Sequence, residues 1–126
     1  MTINEAIAQV DNLKPNMYGE ADKKRWLSRL DTRIWQDILL THELNEGEEL
    51  PAFEPYDVDT SVETELLVGE PYDEMYVRWL EAQIDYSNRE FDSFNNSNAV
   101  FEALFSAFRN AYNQSHMPKG SHKTYY

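Results

Sequence analysis

Apolar residues recur at helical spacing in four stretches of this chain, separated by recognisable stops. Ile3, Ala6, Ile7 and Val10 share one face, and Thr2 to Glu5 has the S/T-x-x-E form of a capping box, which predicts a first helix over about 3–12. Lys14-Pro15-Asn16 breaks it, and Tyr18-Gly19 marks a turn. A second helix over about 20–43 aligns Trp26, Leu27, Leu30, Ile34 and Ile38, with Trp35 at the edge of that face. The third stretch, within Thr64–Phe94, has a short apolar run, a Gly-Glu-Pro-Tyr-Asp turn and then a long helical pattern. Tyr76, Leu80, Ile84, Ser87, Phe91 and Phe94 form one of its stripes, and Met75, Trp79, Ala82 and Tyr86 a second. Together they cover roughly half the circumference, more than the ~100° of a helix lying on a surface, so this helix is expected to be central and to touch at least two others. Its remaining arc holds Glu74, Arg78, Glu81, Asp85, Arg89 and Asp92, with Glu74/Arg78 and Asp85/Arg89 in favourable i,i+4 order, and is expected to face water or a partner. Pro71, Asp73 and Glu74 suit its first turn.

Asn95-Asn96-Ser97-Asn98 favours a cap or turn over a continuous helix. A fourth helix over about 98–114 then carries Phe101, Leu104, Phe105, Phe108 and Tyr112 on one face, and the short connection implies an antiparallel hairpin with the third. Between the second and third helices, residues 44–64 show no helical period and include Gly47, Pro51 and Pro55, which reads as a long loop. Leu50, Phe53, Tyr56 and Val58 are positioned to pin parts of it, and alternation at Val62, Thr64, Leu66 and Val68 allows a short extended piece. Pro118 and Gly120 stop the last helix. The expected fold is therefore all-α, a four-helix bundle-like domain over 1–114 with a long acidic loop between helices two and three, and a flexible C-terminal tail over 115–126.

Charge sharpens this picture. The net charge is -12, and from Glu43 to Glu74 there are twelve carboxylates with no Lys or Arg, so the whole excess lies in one segment. Clamping nucleic-acid phosphates needs a basic footprint, which this balance lacks. Arg25, Arg29 and Arg33, spaced i, i+4, i+8, make a basic ridge beside the apolar face of the second helix. It reads as a solvated face pairing with Asp22, Asp37 or the acidic segment, or as a surface that docks on an acidic partner or a neighbouring copy. Cysteine is absent, so disulfides and thiolate metal sites play no part. Thr2-Ile3-Asn4-Glu5 is unlike the start of a signal peptide and no apolar run approaches the ~20 residues of a membrane span, so a soluble protein, intracellular at synthesis, is expected.

Candidate chemistry is sparse. His42, His116 and His122 lie in no metal-binding pattern. Asp57-x-Asp59-x-Ser61 resembles a calcium loop, but Val62 and Val68 stand where that loop needs Gly and Glu. General acid catalysis needs a carboxyl in a dry pocket, which a solvated acidic run does not offer, so neither catalysis nor a cofactor is expected. Tyr125 and Tyr126 have no core around them and read as disordered or as anchors for a partner.

Lys14-Pro15-Asn16, Lys24-x-Trp26-Leu27-Ser28-x-Leu30, Pro71-Tyr72-Asp73, Gln83-Ile84-Asp85-Tyr86, Asn95-Asn96-Ser97 and Ser115-His116-Met117-Pro118 are features that, over nearly the whole chain, resemble a group of small helical proteins of tailed bacteriophages and prophages, the head-tail connectors or adaptors. The resemblance implies a structural subunit of the virion that docks on the portal protein, meets downstream tail or stopper proteins, and joins a twelvefold homo-oligomeric ring through which DNA passes without specific binding. Such a chain can be monomeric in isolation and resides in the bacterial cytoplasm during assembly. Leu50, Phe53 and Tyr56 in the loop and His116, Met117, Pro118, Tyr125 and Tyr126 in the tail are the expected contacts, beside the arginine ridge. The alternative is an acidic DNA mimic that inhibits a host nucleic-acid-binding protein, for which carboxylates on a rigid face would be needed.

Overall fold

A computed structural model of the chain describes residues 1–119. It is all-α, with helices α1 (Ile3–Leu13), α2 (Glu20–Ile34), α3 (Glu74–Ser87) and α4 (Phe91–Ser115) and a π-helical turn, Trp35–Leu39, that continues α2. No strand occurs among the described residues. The capping box forms as its sequence implies: Thr2 Oγ1 accepts from the Glu5 amide, and the Glu5 carboxylate accepts from the Thr2 amide. The Thr2 backbone amide, and after it the Thr2 hydroxyl, hold the Glu5 carboxyl below the usual carboxylate range.

As expected of a helix with two apolar stripes, α3 is the centre of the bundle. It packs most extensively on α4 and also on α1 and α2. Ile3, Ala6 and Val10 of α1, Leu27, Leu30 and Ile34 of α2, Met75, Tyr76, Leu80 and Ile84 of α3, and Phe101 and Phe105 of α4 are all buried in one core. Fully burying a side chain of this size is worth about 1.5–3 kcal/mol, so these faces dominate the fold's favourable free energy. The π turn ends with the Leu40 amide donating to the Trp35 carbonyl, and its wider winding lets Ile38 and Leu39, on adjacent positions, both reach the core. The second helix thus ends near Leu39 rather than at residue 43.

The boundary between the last two helices differs from the sequence expectation. The break falls at Asn88-Arg89-Glu90, and Asn95-Asn96-Ser97-Asn98 lies inside α4. Arg89 adopts the left-handed conformation (φ 60), the Glu90 amide donates to the Asp85 carbonyl and the Arg89 amide to that of Tyr86, a Schellman termination. Inside α4, Ser97 uses its hydroxyl on Ser93 of its own helix and on the Asp85 carboxylate, so a residue that favours caps is accommodated in a helix interior. Asp85 is accordingly buried rather than on a water-facing arc, and it pairs with Lys14 instead of Arg89.

Of the expected C-terminal tail, the described part is held. The Glu43 amide donates to the Met117 carbonyl, the Lys119 amide donates to that of Thr41, and His42 and Pro118 form an antiparallel bridge.

Left-handed backbone costs an L-residue about 1–2 kcal/mol, part of which glycine loses again through its freer unfolded chain. Arg89→Gly is therefore expected to stabilise the protein by about 0.5–1 kcal/mol, read from the urea midpoint. A lowered midpoint would mean that the Arg89 side chain contributes more than the backbone conformation costs.

Candidate functional site

Residues 40–73 contain neither helix nor strand, yet this acidic segment is fastened along its length. Three side chains on one flank of α2 receive it. Lys24, buried, donates from Nζ to the carbonyls of Thr60 (2.6 Å) and Val58 (3.4 Å). Ser28 Oγ accepts from the Tyr56 amide at 3.0 Å. Trp35 packs its ring on Phe53 at 5.6 Å, and Phe53 meets Tyr56 edge-on. Further along, the carbonyls of Val62 and Thr64 accept from the Asn4 and Ile3 amides, so the segment satisfies free N–H groups at the start of α1. Leu66 and Val68 are buried while Glu63 and Glu65 are exposed, which is the alternation read from the sequence, and Thr2 and Glu65 form a single antiparallel bridge.

The third α2 residue in this seat is Asp31, fully buried. Its Oδ2 accepts from the Tyr56 hydroxyl at 2.5 Å and the Leu67 amide at 3.1 Å, and its Oδ1 from the Tyr76 hydroxyl at 2.6 Å. Tyr76 in turn accepts from the Val68 amide at 2.9 Å. Burial pushes the Asp31 carboxyl above the usual carboxylate range, and the three donors offset that shift only in part. Burial and the neighbouring carboxylate raise both tyrosine hydroxyls, so they remain protonated donors. Sequence reading passed over Asp31, although Leu27, Leu30, Ile34 and Ile38 around it define a core-facing register in which an acid requires partners.

The loop's outer side forms an open crevice of about 760 Å3, lined by Phe53, Tyr56 and Leu67 and by Glu54, Asp57, Asp59 and Glu65. All four acids are exposed. Solvated carboxylates there can attract cations or basic surfaces, but they lack the dry environment that general acid chemistry requires.

Two other polar clusters fasten the ends of the molecule. His42 donates from Nδ1 to the Ile38 carbonyl at 2.6 Å, with Nε2 2.6 Å from the side-chain Oδ1 of Asn113. His116 stacks on Tyr112 at 3.9 Å and donates from Nε2 to Glu48 at 2.8 Å. The His116 ring and the Asn45 amide hold the Glu48 carboxyl below the usual carboxylate range. At the opposite end, Asp85 binds Lys14 and accepts from Ser97 at 2.8 Å, and Lys14 also reaches Glu90 at 3.1 Å. These contacts join α1, α3 and α4, and the hydrogen bonds to both carboxylates raise the Lys14 ammonium against the opposing effect of burial.

The residues expected as interface contacts fall into different places. Leu50 and Phe53 are half-buried against the core of their own chain and Tyr56 is buried, so all three serve the loop's seat instead of projecting as free anchors. His116 is buried and Pro118 is in the bridge with His42, while Met117 is exposed. Tyr125 and Tyr126 lie outside the described residues. Arg25, Arg29 and Arg33 are exposed, Arg25 pairs with Asp22 at 3.0 Å, and Arg33 lies over the Phe105 ring. Among the described residues no group of three or more His, Asp or Glu is placed to hold a metal ion, and no helix is long and apolar enough to cross a membrane.

Comparison with known protein families, curated proteins and solved structures finds no match to this chain.

Removing the Asp31 carboxylate leaves three donors facing each other, so Asp31→Ala is expected to destabilise the fold by about 3 kcal/mol or more. The pH dependence tests the charge state. A raised folded value means that Asp31's contribution is fully present below about pH 3.9 and diminishes as pH rises from there through the folded value. The deficit of Asp31→Asn relative to the parent chain should therefore shrink as pH climbs through that window, measured by urea unfolding at closely spaced pH values. A growing deficit would mean that the donors outweigh burial.

Proposed function

We propose that this chain is a structural subunit of a tailed phage or prophage particle, a head-tail connector (adaptor) that docks on the portal ring and forms part of the DNA channel. The reading starts from the resemblance carried by the motifs between Lys14-Pro15-Asn16 and Ser115-His116-Met117-Pro118. One structural observation carries it further: a helical body holds an exposed carboxylate run in a fixed place along one side. Glu43, Glu46, Glu49, Glu54, Asp59, Glu63 and Glu70 are all exposed and form no ion pair among the described residues.

In this reading the fold is a four-helix bundle-like scaffold whose acidic loop lies on the channel side of a twelvefold ring. Like charge along a channel wall repels phosphates and keeps DNA from adhering during passage. Portal and tail proteins then meet the exposed parts of the loop and Met117, because Leu50, Phe53, Tyr56 and His116 are already engaged within the chain. The particle is assembled in the host cytoplasm and the subunit stays in the virion.

The acidic-mimic alternative gains something from the same observation, since fastening of the loop gives its carboxylates a defined arrangement. Capture of host DNA-binding proteins, competed by DNA, would favour it.

Purified portal rings provide the test. The folded chain is expected to co-sediment with them and to saturate at one copy per portal subunit. Folded protein that stays in the supernatant over a range of salt and concentration would remove the connector reading, as would its absence from purified virions.

A further inference from the structure

Away from the loop's seat, the molecule carries a patch of positive charge that no carboxylate among the described residues neutralises. Arg29 and Arg33 stand one turn apart on α2, both exposed. The Arg29 side chain makes no hydrogen bond or ion pair among the described residues. Arg33 lies 4.8 Å from the centre of the Phe105 ring, and Arg109 of α4, also exposed, reaches the same ring at 5.7 Å. Neither has a carboxylate partner among the described residues. In a chain with 23 acids and 11 Lys and Arg residues, three guanidiniums without carboxylate partners on one side of the molecule depart from what composition alone would produce.

We propose that this stripe is a docking surface for the acidic loop of a second copy of the chain, with Glu54 and Asp59 at the crevice as its anionic counterpart. Charge complementarity selects the occupant, because each copy carries a solvated carboxylate segment without a single base in it. The geometry makes the contact intermolecular. At 100° per residue, Arg29 and Arg33 lie about 150° around α2 from the flank of Lys24, Ser28 and Asp31 that fixes the copy's own loop. A chain whose two complementary faces diverge associates head to tail, and each added copy presents a fresh face of each kind. Guanidiniums match carboxylates as planar forks, and the Phe105 ring already restrains two of the three, which lowers the ordering cost of the contact. The contact deepens the connector reading by naming what joins neighbouring subunits, takes Glu54 and Asp59 out of the channel wall and leaves it the loop's other carboxylates, and rests on that reading only for closure into a ring.

Sedimentation equilibrium of the full chain at about 0.1 M salt tests the proposal, because a Debye length of ~10 Å screens the net charges of two copies while leaving close ion pairs intact. The average mass is expected to rise with protein concentration and to fall back to the monomer at about 1 M salt. Arg29→Glu alters an exposed side chain with no partner among the described residues, so it leaves the fold intact, and it should weaken association about tenfold or more. The triple variant R29E/R33E/R109E and the loop variant E54K/D59K should each be monomeric, and mixing the two should restore association through swapped charges. Asp57 stays in place because it holds the turn with the Asp59 and Thr60 amides. A parent chain that remains monomeric to about 1 mM overturns the proposal, as does association that R29E leaves unchanged. Binding of a labelled random-sequence DNA duplex that R29E abolishes also overturns it, by assigning the stripe to phosphates. A chain that is monomeric yet binds portal rings removes this contact and keeps the connector reading; self-association without portal binding does the reverse.

Discussion

The order of the acidic segment depends on one buried carboxylate. Asp31 gathers the Tyr56 hydroxyl and the Leu67 amide from the loop and the Tyr76 hydroxyl from α3, so a single side chain of α2 ties together three parts of the chain that are distant in sequence. Fixing the backbone of one residue costs about 1–2 kcal/mol, and a stretch of this length has no helical or sheet ladder of its own to offset that. What offsets it is side-chain chemistry from neighbouring elements. Lys24 and Ser28 supply a donor and an acceptor to loop backbone, the start of α1 supplies two amides, and Leu66 and Val68 are buried. Each polar contact contributes little alone, but each also prevents a buried group from being left unpaired, which costs more than a hydrogen bond gains.

This arrangement separates the attachment of the loop from its charge. The residues that bind it to the body are an aspartate turned inward, a lysine that binds backbone carbonyls, aromatic rings and main-chain groups. The loop's own carboxylates take a small part in that attachment. Asp57 closes a local turn, Glu48 meets His116, and most of the others project outward into water. Mutual repulsion among them is screened by solvent and salt at the surface, so the acidic run is tolerated without being neutralised internally.

Helix faces were legible in the sequence because periodicity reports burial directly: the apolar stripes of α1 and α2 and the central place of α3 follow from spacing alone. Boundaries were less so. Asn95-Asn96-Ser97-Asn98 has the local preferences of a cap, yet tertiary contact between Ser97 and Asp85 makes a helix interior acceptable there, while the actual break uses an arginine in a conformation that usually signals glycine. The polar seat of the loop was hidden for a related reason. A charged residue in a helix reads as solvent-facing by default, and only the register of Asp31 among Leu27, Leu30, Ile34 and Ile38 marked it as inward. Leu50, Phe53 and Tyr56 carried the opposite ambiguity, since an apolar side chain in a loop is equally consistent with its own core and with a partner's.

The three flanks of α2 bring these points together. One flank enters the core through Leu27, Leu30 and Ile34, and a second binds the loop through Lys24, Ser28 and Asp31. The third carries Arg29 and Arg33, and among the described residues these two arginines meet no carboxylate, Arg33 lying over the Phe105 ring. Had the loop crossed that third flank, its carboxylates would have met the arginines and the charge map would have closed on itself. Because Asp31 places the loop on the second flank instead, the same helix fixes the negative segment and keeps the positive one apart from it. The separation of opposite charges on this surface is thus a consequence of where a buried acid sits in the helix register.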